Sequence, residues 1–176
     1  MKSKQPKKDK AGQRGGKMQP ARSDSHGDPY RAKRKHVEAK LAEPTICSEC
    51  GALYKEGRWT WPDVKPATGR PTLCPACLRI RDDAPLGEVR IGGAFAAAHR
   101  AEITARVRHV EDREKLDHPL QRVMAMREDG TELVVTTTDP HLAHAIGTAL
   151  HAAFKGELHA PWSEAGELMR VRWTRE

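Results

Sequence analysis

The chain has 176 residues, 38% hydrophobic, 31% charged and only 5% aromatic, with a formal net charge of +7 at neutral pH. This length and composition fit one ordinary domain, or a small metal module beside a compact domain, with the remainder solvated. No stretch of about eighteen apolar residues occurs, which excludes a membrane-spanning helix, and no apolar leader opens the chain, so a cytoplasmic location is expected.

Charge is concentrated at the start. Residues 1–40 hold 13 Lys and Arg against 4 Asp and Glu, a balance of +9, while the other 136 residues hold 18 against 20 and sum to −2. The first segment also carries Gly12, Gly15, Gly16, Pro20 and Pro29 and almost no large aliphatic side chain. Burial therefore cannot offset its ordering entropy, and a disordered basic arm is predicted over residues 1–42, with a short helix available from Tyr30 to Ala42. Lys7, Lys8, Arg31, Lys33, Arg34 and Lys35 are its candidate nucleic-acid contacts. A polyanion attracts such an arm by counterion release, whereas a membrane surface would call for an accompanying apolar stripe, which the arm lacks.

A zinc ribbon is predicted over residues 43–93. Its basis is the entire cysteine content of the chain, two Cys-x-x-Cys knuckles formed by Cys47 and Cys50 and by Cys74 and Cys77. Four thiolates satisfy a tetrahedral Zn²⁺ and leave no coordination position for water or substrate, so one structural Zn²⁺ is expected. A redox pair and two disulfides are the competing readings. Gly51 suits the sharp turn after the first knuckle, and Pro75 stiffens the second. Leu53-Tyr54 reads as a strand. The excursion between knuckles carries Arg58, Trp59, Trp61 and Arg70; on a strand the two tryptophans face one side, either covering the ribbon or offering a stacking surface to unpaired bases. Glu88–Ile91 alternates in polarity and is read as the last ribbon strand, with Gly92-Gly93 as a flexible joint.

Residues 94–176 are predicted to form an α+β domain in the order α-β-β-α-β, a small sandwich with its helices on one face of a sheet. Phe95 to about Leu116 has helical spacing at Ile103, Val107 and Val110. Strands over 120–128 and 131–138 are joined by Asp129-Gly130, a two-residue hairpin signal. Asp139-Pro140 is an N-cap followed by proline, which starts a helix running to about Lys155 before Gly156. Met169, Val171 and Trp173 alternate with Arg170, Arg172 and Thr174 as a half-buried strand that presents both arginines on the open face.

The run Thr45-Ile46-Cys47-Ser48-Glu49-Cys50-Gly51, the knuckle Leu73–Leu78, the helix after it, and the run Thr136–Ala143 leading into the last helix resemble a small bacterial zinc-ribbon family. That family is similar to the amino-terminal part of the archaeal and eukaryotic export adaptor of the large ribosomal subunit. The resemblance implies a non-enzymatic protein that docks on ribosomal RNA or a ribosomal particle, with Cys47, Cys50, Cys74 and Cys77 holding the zinc. The adaptors continue into further β-rich domains whereas this sequence ends soon after its last predicted strand, so particle binding, and not export, is the expectation that the resemblance carries over.

No nucleophile with an adjacent base and no phosphate-cradling loop is evident, and no small-molecule site is predicted. The expectation is an RNA-binding adaptor, with protein docking through the α+β domain. A transcription-associated module binding DNA or polymerase is the alternative, and a metal-dependent hydrolase built around His109, Glu111 and Glu114 the third. His141, His144 and His151, near one side of the last helix, are candidates for a second metal site or a pH-sensitive patch.

Overall fold

The computed structural model describes residues 41–63, 68–162 and 168–176. The basic arm, the expected helix at Tyr30–Ala42 up to residue 40, and the candidate contacts Lys7, Lys8, Arg31, Lys33, Arg34 and Lys35 lie outside these residues.

The ribbon is a four-stranded sheet, β1 (Thr45–Cys47), β2 (Leu53–Lys55), β3 (Arg58–Thr60) and β4 (Arg70–Thr72), in the order β3-β2-β1-β4 with β4 parallel to β1. One helix completes it, α1 (Pro75–Arg81), which starts where the sequence provides for it: Cys74 is extended and caps the helix through its sulfur, and Pro75 fills the first turn, where no amide hydrogen is needed.

The second sheet has five strands: β5 (Gly87–Gly92), β6 (Val123–Asp129), β7 (Glu132–Thr137), β8 (Glu157–His159) and β9 (Met169–Thr174), in the order β6-β7-β5-β9-β8. Glu88–Ile91, expected to close the ribbon, is instead the middle strand of this sheet. It lies antiparallel to β7 and parallel to β9, with Val89 opposite both Val135 and Val171. The reason is burial: Val89 and Ile91 are 0% exposed, and only the second module has an apolar layer large enough to cover them. The boundary between modules therefore falls before Gly87, and the second module reads β-α-α-β-β-α-β-β rather than α-β-β-α-β.

The helices are α2 (Ala94–Ala98), α3 (Arg100–Asp117) and α4 (Pro140–Phe154). The single helix expected from Phe95 is broken at His99, whose φ of −111° and ψ of 31° leave the helical region. Ile103, Val107 and Val110 of α3 and Leu142, Ile146 and Leu150 of α4 lie in one buried cluster with Val89, Val135, Met169, Val171 and Trp173. All these strand residues share one parity, so both helices cover the same face. Each side chain of this kind contributes about 1.5–3 kcal/mol through burial.

Gly92-Gly93 is a packed crossing rather than a loose joint. Arg175 N donates to Gly92 O at 3.2 Å and Phe95 N to Arg175 O at 3.1 Å. Gly93 has φ +95°, and a Cβ there would lie 2.1 Å from Arg175 O, so only glycine fits.

The two modules also touch. Trp61 Nε1 donates to Lys115 O at the end of α3 at 2.6 Å, and Leu120 packs against the ribbon's buried cluster. No helix among the described residues is long and apolar enough to cross a membrane.

Candidate metal centre

β1 delivers Cys47, and the chain then reverses so that Cys50 faces it. Cys47 N donates to Ala52 O at 2.8 Å and Gly51 N to Cys47 O at 2.9 Å, a reversal that places Gly51 at φ +78°, in the left-handed region. The start of α1 brings Cys74 and Cys77 from the other side. Cys47 Sγ is 3.7 Å from Cys77 Sγ, Cys50 Sγ is 3.7 Å from Cys74 Sγ, and all four sulfurs lie within 4.8 Å of one another. Four sulfurs at metal bonds of about 2.3 Å in a tetrahedron stand about 3.8 Å apart, so this spacing matches a four-sulfur cage around one ion. It is far beyond the roughly 2.05 Å of a disulfide bond, and all four cysteines are free.

Backbone amides turn toward the sulfurs: Cys74 N lies 3.3 Å from Cys47 Sγ and Cys77 N 3.4 Å from Cys74 Sγ. Such donors stabilise thiolate charge and orient the ligands. Cys47, Cys74 and Cys77 are at most 3% exposed. The thiols are strongly polarised against one another. The hydrogen bond with Cys74, opposed by burial and reinforced by Arg122, lowers Cys50 to about 4. The same hydrogen bond together with burial raises Cys74, and burial pushes Cys77 up to about 12.

The sequence reading passed over one residue that touches this group. Arg122, in the segment between α3 and β6, is only 9% exposed, and its Nη1 lies 3.4 Å from Cys77 Sγ. Burial works against its charge, but the hydrogen bond and charge of Cys50 and the charges of Cys77 and Cys74 raise its pKa on balance. Its Nη2 is buried and has no hydrogen-bond partner. A buried guanidinium needs anionic neighbours. Four metal-bound thiolates supply a full dianionic centre against it, so the residues around the sulfurs fit a bound metal ion.

The other candidates fare differently. Trp59 is 7% exposed and packs against Tyr54 at a ring distance of 5.4 Å, so it belongs to the ribbon core and is not available to stack on bases. Trp61 is half-buried and tied to α3 by its indole. Arg58 and Arg70 are exposed but sit on β3 and β4, the opposite edges of the ribbon sheet. On the open face of the second sheet Arg172 donates to Glu132 at 2.7 Å, and Arg90 is paired with Glu88, Asp129 and Glu132 at 3.0 Å each. Arg170 is exposed beside them and lines a hollow of about 630 Å³ together with Glu88, Arg90, His159, Pro161, Val171 and Arg172.

Among the described residues the four cysteines are the only group of metal-ligating side chains brought together. His141 and His144 instead flank the Trp162 ring, at 5.3 and 4.8 Å, and do not meet His151 in a common site. Glu111 is engaged by Val123 N at 2.8 Å and Glu114 by Arg113 at 2.9 Å, so the set around His109 forms no metal site either.

No family model, curated protein or solved structure matches the chain.

Proposed function

We propose that this protein is a non-enzymatic zinc-ribbon adaptor for RNA, with ribosomal RNA or a ribosomal particle as its target. One observation carries the nucleic-acid reading: the whole positive balance of the chain, +9, lies in its first 40 residues, while the rest sums to −2. Such a cationic leader binds polyphosphate through counterion release, largely irrespective of sequence. The ribbon supplies a rigid body behind it, and the exposed Arg58, Arg70 and Arg170 supply further contacts.

The metal in this reading is zinc, because four thiolates in a tetrahedral cage select zinc or iron, and zinc in such a cage is a structural ion. Its role is to fix the ribbon, contributing apparent free energy of about 10–16 kcal/mol to a segment with a small apolar core. The chain's own residues hold and orient it, and the closed sulfur set offers no position for a substrate.

The test is co-sedimentation with ribosomal subunits in moderate salt, using the full chain and a variant lacking residues 1–40. The full chain is expected to travel with a subunit, and the deletion to lower the salt dependence of RNA binding by several units of slope. A protein that stays at the top of the gradient while binding duplex DNA tightly is instead a transcription-associated module, and an unchanged slope removes the arm from the mechanism.

A further inference from the structure

Arg122 joins the two modules at a single point. Its backbone N donates to Thr138 Oγ1 at 2.9 Å, and its Nε to Pro119 O at 2.9 Å, so its stem belongs to the second module. Its guanidinium leaves that module, passes 5.7 Å from the centre of the Trp61 ring and ends against Cys77 Sγ. No carboxylate forms an ion pair with it among the described residues, and its Nη2 has no partner. A cation buried in this way is costly unless an anion stands beside it, and among the described residues the ionisable groups that its guanidinium faces are the sulfurs of Cys77, Cys50 and Cys74. A divalent metal with four thiolates is a net dianion.

We propose that Arg122 is the counter-cation of the metal–thiolate centre, a positioning residue through which metal occupancy governs whether the ribbon stays docked on the second module. With the metal bound, the guanidinium faces negative sulfur and the Trp61–Lys115 contact closes over it. Without the metal nothing binds the two knuckles into one cage, the guanidinium loses the sulfur seat against which it ends, and the interface around Trp61 and Leu120 opens while the second module keeps its own core. The inference depends on the four-sulfur centre and not on which nucleic acid the protein binds.

Two indole protons report the two events separately in one molecule. Trp61 Nε1 donates across the interface to Lys115 O, and Trp173 Nε1 donates within the second module to Lys155 O at 2.7 Å. The experiment follows hydrogen exchange of both indoles by NMR in the zinc-loaded full chain and after zinc is removed with a chelator. It is repeated for Arg122→Met and Arg122→Lys, and the zinc affinity of each protein is measured by competition with a chromogenic chelator. Zinc removal is expected to strip protection from Trp61 and to leave Trp173 protected. R122M is expected to bind zinc about 10- to 100-fold more weakly and to expose Trp61 even when loaded, with R122K restoring most of both properties.

Retention of wild-type zinc affinity and Trp61 protection by R122M would overturn the proposal. So would protection of Trp61 that survives zinc removal, or loss of protection at Trp61 and Trp173 together on zinc removal. If R122M loses Trp173 protection in the zinc-loaded state, Arg122 is holding the second module itself together and the proposal fails as well.

Discussion

Replacing Gly93 with alanine tests whether Gly92-Gly93 is a packed crossing or a hinge. Two costs add. Gly93 has φ 95° and ψ 164°, a region essentially closed to residues with a Cβ, and forcing one there costs about 1–3 kcal/mol. The new methyl would also lie 2.1 Å from O, 2.6 Å from C and 2.9 Å from N of Arg175, all backbone atoms that have no rotamer by which to escape. Moving them disturbs the two hydrogen bonds that tie the end of β9 to Gly92 and Phe95, a displacement worth roughly another 1–3 kcal/mol. The expected loss is about 3–5 kcal/mol, a large part of the roughly 5–15 kcal/mol that holds a typical domain together. Gly130→Ala is the control, because Gly130 has φ +60° and nothing within 4 Å of a Cβ, so only a conformational cost of about 1 kcal/mol applies. In urea unfolding of the zinc-loaded chain, with a slope of about 2 kcal/mol per molar, G93A should move the midpoint by about 1.5–2.5 M and G130A by about 0.5 M. If G93A shifts the midpoint no further than G130A, the crossing yields freely and the hinge is real.

Trp59→Leu should destabilise the ribbon by about 1–2 kcal/mol, since lost volume is partly offset by removing a buried indole N–H that has no partner, and RNA affinity in filter binding should not change. Weaker RNA binding by a variant that unfolds like the parent would return Trp59 to a stacking role. Asp139→Ala removes the N-cap of α4, whose carboxylate accepts from His141 N at 2.8 Å, and should lower stability by about 1 kcal/mol in thermal unfolding, with Asp139→Asn retaining most of it. Metal analysis should find one zinc per chain, and Cys77→Ala should abolish stoichiometric binding; full retention in C77A would exclude the four-sulfur cage.

Local chemistry made much of this legible in the sequence. Asp129-Gly130 marks the hairpin to within one residue: Asp129 still belongs to β6 and pairs with Glu132, and the two turn residues are Gly130 and Thr131. Asp139-Pro140 marks the start of α4, and the alternation from Met169 to Thr174 marks β9. The cysteine quartet was legible for the same reason, since a ligand set is a property of residue type and spacing. What escaped was long-range. The alternation of Glu88–Ile91 is equally compatible with a ribbon edge or a sheet centre, and only the apolar layer built by α3 and α4 decides between them. Trp59 and Trp61 look equivalent in sequence, yet one is core and the other reaches across to α3. Arg122 carries no local signal because its significance lies in a thiol 45 residues away, and Glu132 gave no sign that it would bind both Arg90 and Arg172.

The pairing of β5 with β9 has a kinetic consequence. These neighbours at the middle of the sheet come from distant parts of the chain, Gly87 aligning with Met169, and their parallel register admits no short connection. The hairpin β6–β7 and helix α4 have local contacts and form early, whereas bringing β9 into place requires closing a long loop and is expected to be the slow, committing event. Until it happens, one edge of β5 remains an open template for strand addition by another molecule, so refolding at high protein concentration should lose material to aggregation at this step.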